Sequence, residues 1–217
     1  MNLTLLNIGY SDMNANWNWK GVHSPFARIY YVTNGEARTR IGGRLYHLLP
    51  GRLYLTPPFA LHDDECDSLF SLYYIHFYEE TDAKESVFDI YDFPAEVVAT
   101  RADLPLTQRL LEINPGRNLS HFDPGLYDNI PTFRQSLSDN RRQPQCTQVE
   151  TQGILCQLMS RFFADARVKA GNKDARIKQS LSLIHGNIDK DISVAALARR
   201  ACITTDHFIR IFRRELG

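Results

Sequence analysis

RIYYVTNGEARTRIGGRLYHLLPGRLYLTPP (residues 28–58) is the stretch on which the fold class turns. It holds four short runs rich in aromatic and aliphatic residues: Arg28 to Thr33, Glu36 to Ile41, Arg44 to Leu48 and Arg52 to Thr56. Asn34-Gly35, Gly42-Gly43 and Pro50-Gly51 separate them, and Pro57-Pro58 closes the series. Such runs, bounded by Gly and Pro, read as strands. Gly42-Gly43 predicts a two-residue hairpin, because the primed turns that join antiparallel strands need positive φ. A fifth run, Leu69 to Phe77, follows the same rule. Many short strands at regular spacing predict a sandwich or barrel over residues 1–103, not alternating βαβ units. Neither GxGxxG nor GxxxxGK(S/T) occurs, so no phosphate-cradling loop is expected.

From residue 104 to 172 the periodicity changes. Leu155, Leu158, Met159, Phe162, Phe163 and Ala166 recur at helical spacing and form one wide apolar stripe, with Ile154 and Cys156 lying off it. A stripe with extra apolar positions predicts a helical segment that makes a homodimer through Leu155, Leu158, Met159, Phe162 and Phe163. The same pattern also suits a helix whose apolar residues are all intrachain core. Ser138 to Gln145 is polar and contains Pro144, which predicts a loop, and Gly171 to Asp174 predicts a linker.

Residues 173–217 read as three helices. Ile177, Leu181, Ile184 and Ile188 mark the first, with His185-Gly186-Asn187 fraying its end. Ser193 can cap Val194 to Ala201, and after a break at Cys202-Ile203 Thr204 can cap a third helix with Phe208, Ile211 and Phe212 on its buried face. A short small-residue helix, a tight turn and a basic helix form the helix-turn-helix pattern. Its outer face carries Thr205, Asp206, Ile209 and Arg210, placed to meet base edges. Thr204, Arg213 and Arg214 lie nearer the phosphates.

The 25 Lys and Arg balance the 25 Asp and Glu, yet the charge is segregated. Residues 63–103 hold 12 acids against Lys84 and Arg101, whereas residues 166–217 hold 11 basic residues against 5 acids, so a polyanion would be drawn to the C-terminal part. The longest apolar run is five residues, Val194 to Ala198, far below the ~20 of a membrane helix. The first ten residues carry no Lys or Arg, so a secretory signal is not expected. Four scattered cysteines, Cys66, Cys146, Cys156 and Cys202, form no CxxC pair and predict free thiols in a reducing cytoplasm, with Cys156 and Cys202 in the core.

Asp191 to Ala198 together with Thr204 to Gly217 resembles the first helix-turn-helix of the AraC/XylS family of bacterial transcription regulators, through Leu197, Ala198, Thr204, Phe208, Arg210, Phe212, Arg213, Arg214 and Gly217. Tyr30 to Gly35, Gly43 to Gly51, Pro57 to His62 and Tyr73 to Phe77 resemble the cupin-like sensory domain of that family. The resemblance implies an α+β protein: a cupin-like β-barrel or jelly roll (1–103), a helical dimerisation segment (104–172) and a helix-turn-helix unit (173–217). Family members have two such units; this sequence stops after the first, and a chain cut short before the second is the expectation. The implied function is cytoplasmic, effector-controlled binding of double-stranded DNA. The effector would be a small organic molecule, a sugar or derivative among the options, with no cofactor, no metal, no catalytic residues and no membrane. Tyr30, Asn34, Arg38, Tyr46, His62 and Tyr74 are the expected ligand contacts; aromatic faces stack on planar or apolar ligand surfaces, and Tyr74 aligns with the family's sugar-stacking position. The rival reading is a metal-dependent cupin enzyme, a dioxygenase or isomerase with a helical extension. Histidines 23, 47, 62 and 76 lie in the β-region, but the HxH-plus-Glu signature of metal cupins is absent.

Overall fold

The computed structural model describes residues 1–81, 85–169 and 174–216. Its strands are β1 (Leu3–Met13), β2 (Asn18–Val22), β3 (Ala27–Gly35), β4 (Ala37–Ile41), β5 (Arg44–Leu48), β6 (Arg52–Thr56), β7 (His62–Glu65), β8 (Phe70–Glu79), β9 (Tyr91–Asp92), β10 (Glu96–Val98) and β11 (Arg167–Val168). One antiparallel sheet has the order β1-β8-β3-β6-β10, a second β2-β7-β4-β5, and β9 pairs with β11. The strands expected between Arg28 and Phe77 form within one or two residues of their predicted ends. Gly42 and Gly43 both take positive φ, 55° and 84°, in the β4–β5 hairpin. Gly35 is required for a second reason: a Cβ there would lie 2.1 Å from the Leu69 carbonyl oxygen.

The first sheet is buried on both faces. Tyr30, Tyr54 and Tyr74 are cross-strand neighbours on β3, β6 and β8 and point into the space between the sheets. Ile29, Leu55 and Ile75, one residue earlier or later, point the other way. That outer face is covered by α2 (Asp103–Ile113) and α5 (Gln145–Phe163). The short helices α1 (Val87–Ile90) and α3 (Pro124–Tyr127) and the longer α4 (Ile130–Arg142) complete this part.

The apolar stripe of α5 is spent here, which corrects the expectation that these residues form a dimer contact. Leu155, Leu158, Met159 and Phe162 have no exposed surface, and Phe163 packs edge-on against Phe93 at 4.9 Å. A doubly buried sheet presents a second apolar face, and covering it takes the whole stripe. The helical stretch therefore finishes the core that the strands begin. A second correction concerns residues 138–145: α4 continues through Arg142, and only Gln143 and Pro144 separate it from α5. Its polar residues lie on the solvent side, while Leu137 is buried and Asn140 donates to the Leu5 carbonyl at 2.6 Å. Of the predicted linker, residues 171–173 lie outside the described residues; Asp174 caps the next helix through the Arg176 N–H.

The C-terminal helices are α6 (Ala175–His185), α7 (Val194–Arg200) and α8 (Thr205–Leu216), packed around Ile177, Leu181, Leu197, Ala198, Phe208 and Ile211. Ser193 and Thr204 accept the predicted capping bonds, from Ala196 N at 3.2 Å and His207 N at 3.3 Å. Ile188 lies past the end of α6 and joins the N-terminal cluster instead. Cys202, expected in the core, is exposed at φ 55°. It occupies the left-handed position that turns the chain from α7 into α8, so its side chain projects outward. Cys156 is half-buried, and all four thiols are free.

Candidate functional site

Polar side chains from both sheets meet in the barrel interior. On β3 and β8, Arg28 and His76 are cross-strand neighbours facing inward, beside the row of tyrosines. Opposite them, β7 reads His-Asp-Asp-Glu, and strand alternation sorts it: His62 and Asp64 turn in, whereas Asp63 and Glu65 turn out to meet Gly21 N and Lys20. All four inward side chains are at least 97% buried.

Several of their polar atoms have no partner among the described residues: Arg28 Nε, His62 Nε2, Asp64 Oδ1 and His76 Nδ1, joined by the Trp19 indole N–H. Buried polar atoms are normally paired, and each left bare costs on the order of 1–3 kcal/mol. Trp19, Asp64 and His76 line one small cavity, where a water or a bound molecule can supply the missing bonds. Arg28 Nη2 donates to Ser24 Oγ at 2.6 Å and lies 3.4 Å from the Tyr127 hydroxyl, and its guanidinium sits 4.6 Å above the Phe26 ring. His62 Nδ1 is 3.0 Å from the Ala60 carbonyl. That bond sets the proton on Nδ1 and leaves Nε2 as an acceptor, 3.9 Å from Asp64.

Burial, with the Arg28 charge as second cause, lowers the His62 pKa to about 4 and pushes His76 well below the ordinary imidazole range, so both rings are neutral at pH 7. Burial raises Asp64 to about 6. The His62 and Asp64 shifts work against each other in stability. Asp64, raised in the folded chain, contributes stability that is full below pH 3.8 and is lost as pH climbs through about 6. His62, depressed, contributes stability that is full above pH 6.5 and is lost as pH falls through about 4. Asp64→Asn removes only the first. Urea denaturation at pH 4.5 and pH 7 should therefore show the variant gaining on the parent as pH rises. An equal difference at both pH values would mean that Asp64 ionises freely.

A lid closes this interior. Leu119 N donates to the Tyr74 hydroxyl at 2.9 Å, Phe122 meets the Tyr74 ring edge-on at 5.7 Å, and Tyr127 of α3 stacks on His76 at 5.3 Å. The remaining cavity, lined by Trp17, Trp19, Tyr30, Asp64, Tyr74, His76 and Tyr127 among others, is only about 20 Å³, room for about one water. A larger ligand enters only if the lid segment 119–129 moves. A wider cleft of about 690 Å³ runs between α4 and α6, with Glu80, Arg141, Lys178 and Lys190 on its walls. None of the bare ring, guanidinium or carboxylate atoms opens into it.

Of the six expected ligand contacts, the structure brings Tyr30, His62 and Tyr74 together in the interior. The other three lie elsewhere. Asn34 is exposed at a bulge in β3, and Tyr46 is half-buried on edge strand β5 with the Arg44 guanidinium 5.2 Å from its ring. Arg38 points outward to Asp67 at 2.5 Å, because the β4 alternation turns Ala37 and Thr39 in. Arg28, Asp64 and Tyr127 were not among the expected residues, and His76 was named only under the rival metal reading. The inward positions of β7 were available from period-2 alternation, but a strand so highly charged carries no hydropathy signal. Among the described residues no three His, Cys, Asp or Glu side chains come together as a metal-ligand set.

Residues 8–113 match a family model described as AraC-like ligand binding domain. The domain is a cupin-like β-sandwich of AraC sensory type, and the bare polar atoms lie inside it. No curated relative matches the chain. Solved structures with local similarity include the DMSP lyase DddQ from Ruegeria pomeroyi, at 19% identity over 34% of this chain and 45% of that one, TM-score 0.29. The EutQ protein of Clostridium difficile shows 19% identity over 35% and 56%, TM-score 0.29. A cupin superfamily protein from Desulfitobacterium hafniense shows 15% identity over 34% and 65%, TM-score 0.30. The first two are matched over about half of their own length, and overlaps this limited carry no argument about activity.

On the C-terminal unit, Thr204, Thr205, Asp206, Arg210, Arg213 and Arg214 are exposed and Ile209 is half-buried, opposite buried Phe208 and Ile211. The expected DNA-facing residues thus share one accessible side of α8 and the turn before it. Among the described residues no helix is long and apolar enough to cross a membrane.

Proposed function

We propose that this protein is a ligand-responsive transcription regulator and not an enzyme, with its effector in the N-terminal sandwich and its DNA-reading surface on α8. The observation that carries the reading is the coincidence of the AraC-like ligand-binding match with an interior whose buried polar atoms lack partners. The effector is a small organic molecule, with sugars and their derivatives in the class. Effector binding would shift the population of lid positions and so the placement of the C-terminal helices. The lid leads directly into α4, and Arg134 of α4 donates to the Asp189 carbonyl just before α7, at 2.8 Å. Such a regulator works in the cytoplasm, where its DNA lies. The α5 stripe is not its dimer contact.

The test is selection of bound duplexes from a random pool, followed by titration of the selected and a scrambled duplex at two salt concentrations. Arg210, one turn after Asp206 on the exposed side, is placed for a two-bond contact to guanine; Arg210→Ala should reduce discrimination by about 1–3 kcal/mol. Arg213→Ala should weaken all duplexes alike and lower the salt slope by about one, as loss of a phosphate contact does. Sequence-specific binding that Arg210→Ala and Arg213→Ala both leave unchanged would overturn the assignment of the DNA-reading surface to α8.

A further inference from the structure

Arg28 is 1% exposed, and a guanidinium does not give up its proton. Its direct oxygen partners are two neutral hydroxyls, and among the described residues no carboxylate lies within ion-pair distance of it. The acids that act on it do so from further away: Asp64 on β7, and Asp128, which shares Ser24 with it. A buried cation without a direct counterion is a costly arrangement, and a buried one is ordinarily paired. From the bare Nε and the long 3.4 Å contact of Nη2 with Tyr127, we infer that the ligand of this interior is a small monocarboxylate whose carboxylate docks on Arg28 in place of the Tyr127 hydroxyl. The inference rests on the ligand-binding reading above and specifies its chemistry.

Three features narrow the class. A fork of Nε and Nη2 fits a carboxylate with two parallel bonds. Asp64 and Asp128 nearby oppose a dianion, which disfavours inorganic phosphate and dicarboxylates. On the other sheet, Asp64 Oδ1 and His62 Nε2 are acceptors without donors, so the ligand carries a hydrogen-bond donor, a hydroxyl or an ammonium, near its carboxylate. The body of the molecule would lie among Trp17, Tyr30, Tyr74 and Phe122, after Tyr127 has swung away from His76. Both tryptophans of the chain line this cavity, so intrinsic fluorescence reports directly on occupancy.

The experiment titrates the full chain with lactate, alanine, propionate, lactamide, inorganic phosphate and a neutral pentose, reading tryptophan fluorescence and the melting temperature. Lactate or alanine should bind, propionate more weakly, and lactamide, phosphate and pentose should leave both readouts unmoved; which of the first two binds identifies the donor. Arg28→Gln should weaken the carboxylate by about tenfold or more. Tyr127→Phe, which keeps the ring but removes the competing hydroxyl, should bind at least as tightly as the parent, and this arm stands even where Arg28→Gln fails to fold. Response to the pentose alone overturns the carboxylate inference and leaves the ligand-binding reading in place. Carboxylate binding that survives Arg28→Gln unchanged, or falls in Tyr127→Phe, also overturns it. Silence from every compound counts against both.

Discussion

Phe162→Ala is expected to cost about 3–5 kcal/mol of stability, with no change in the association state. Phe162 has no exposed surface and sits in the cluster that joins α5 to the outer face of the β1-β8-β3-β6-β10 sheet. Removing the ring leaves a void beneath Leu158 and Met159, which are themselves fully buried and held by the helix. The site has little freedom to collapse, so the cavity cost adds to the lost transfer energy. Urea denaturation of parent and variant measures the loss, and sedimentation at several concentrations measures association. A loss under about 1 kcal/mol together with a shift toward monomer would mean that this helix face meets a second subunit, contrary to the intrachain packing described above.

Arg117→Leu is expected to destabilise the N-terminal domain by about 3 kcal/mol. The β1 register slips between Leu5 and Asn7, and this bulge takes nearby backbone carbonyls out of the ladder with β8. Arg117, nearly buried, gathers them: its Nη2 donates to the Leu5, Leu6 and Ser136 carbonyls at 2.8, 2.9 and 3.3 Å, and Nη1 donates to Asn140 at 3.0 Å. Its own carbonyl accepts from Ile8 N at 3.0 Å. Leucine fills much of the volume but leaves the Leu6 carbonyl buried and bare. Arg117→Lys should recover only part of the loss, because one ammonium cannot reproduce a planar fork that reaches two segments at once. Hydrogen exchange should localise the effect to β1 and to the start of the lid at Leu119, two residues on. Full recovery by lysine would show that charge, and not the fork, holds the bulge.

Features that depend on a few neighbouring residues were legible in the chain itself. The strands from Arg28 to Phe77 carry their own alternation and turn chemistry, and Gly42-Gly43 is a hairpin wherever it occurs because both residues can hold positive φ. Ser193 and Thr204 cap their helices through bonds spanning three residues. The face of α8 that carries Arg210 and Arg213 follows from helical spacing alone, since Phe208 and Ile211 must turn inward. Even so, the polarity of Ser138 to Gln145 misled, because a helix with one buried side reads as a loop when its solvent side is this polar.

Only the tertiary structure decided what lies against each face. The α5 stripe announces a buried surface, but periodicity contains no information on whether a sheet of the same chain or a helix of another covers it. The interior was half legible for the same reason. Tyr30, His62 and Tyr74 were expected there as aromatic and histidine candidates, while Arg28, Asp64 and His76 came together only because β3 pairs with β8 and the second sheet lays β7 across from them, which gathers residues 12 to 48 positions apart. A charged residue in a strand is ordinarily solvent-facing, and nothing local distinguishes Arg28 from Arg38. What separates them is register: Arg28 lies opposite His76 on the inner face, whereas Arg38 lies opposite His47 and Glu65 on the outer one.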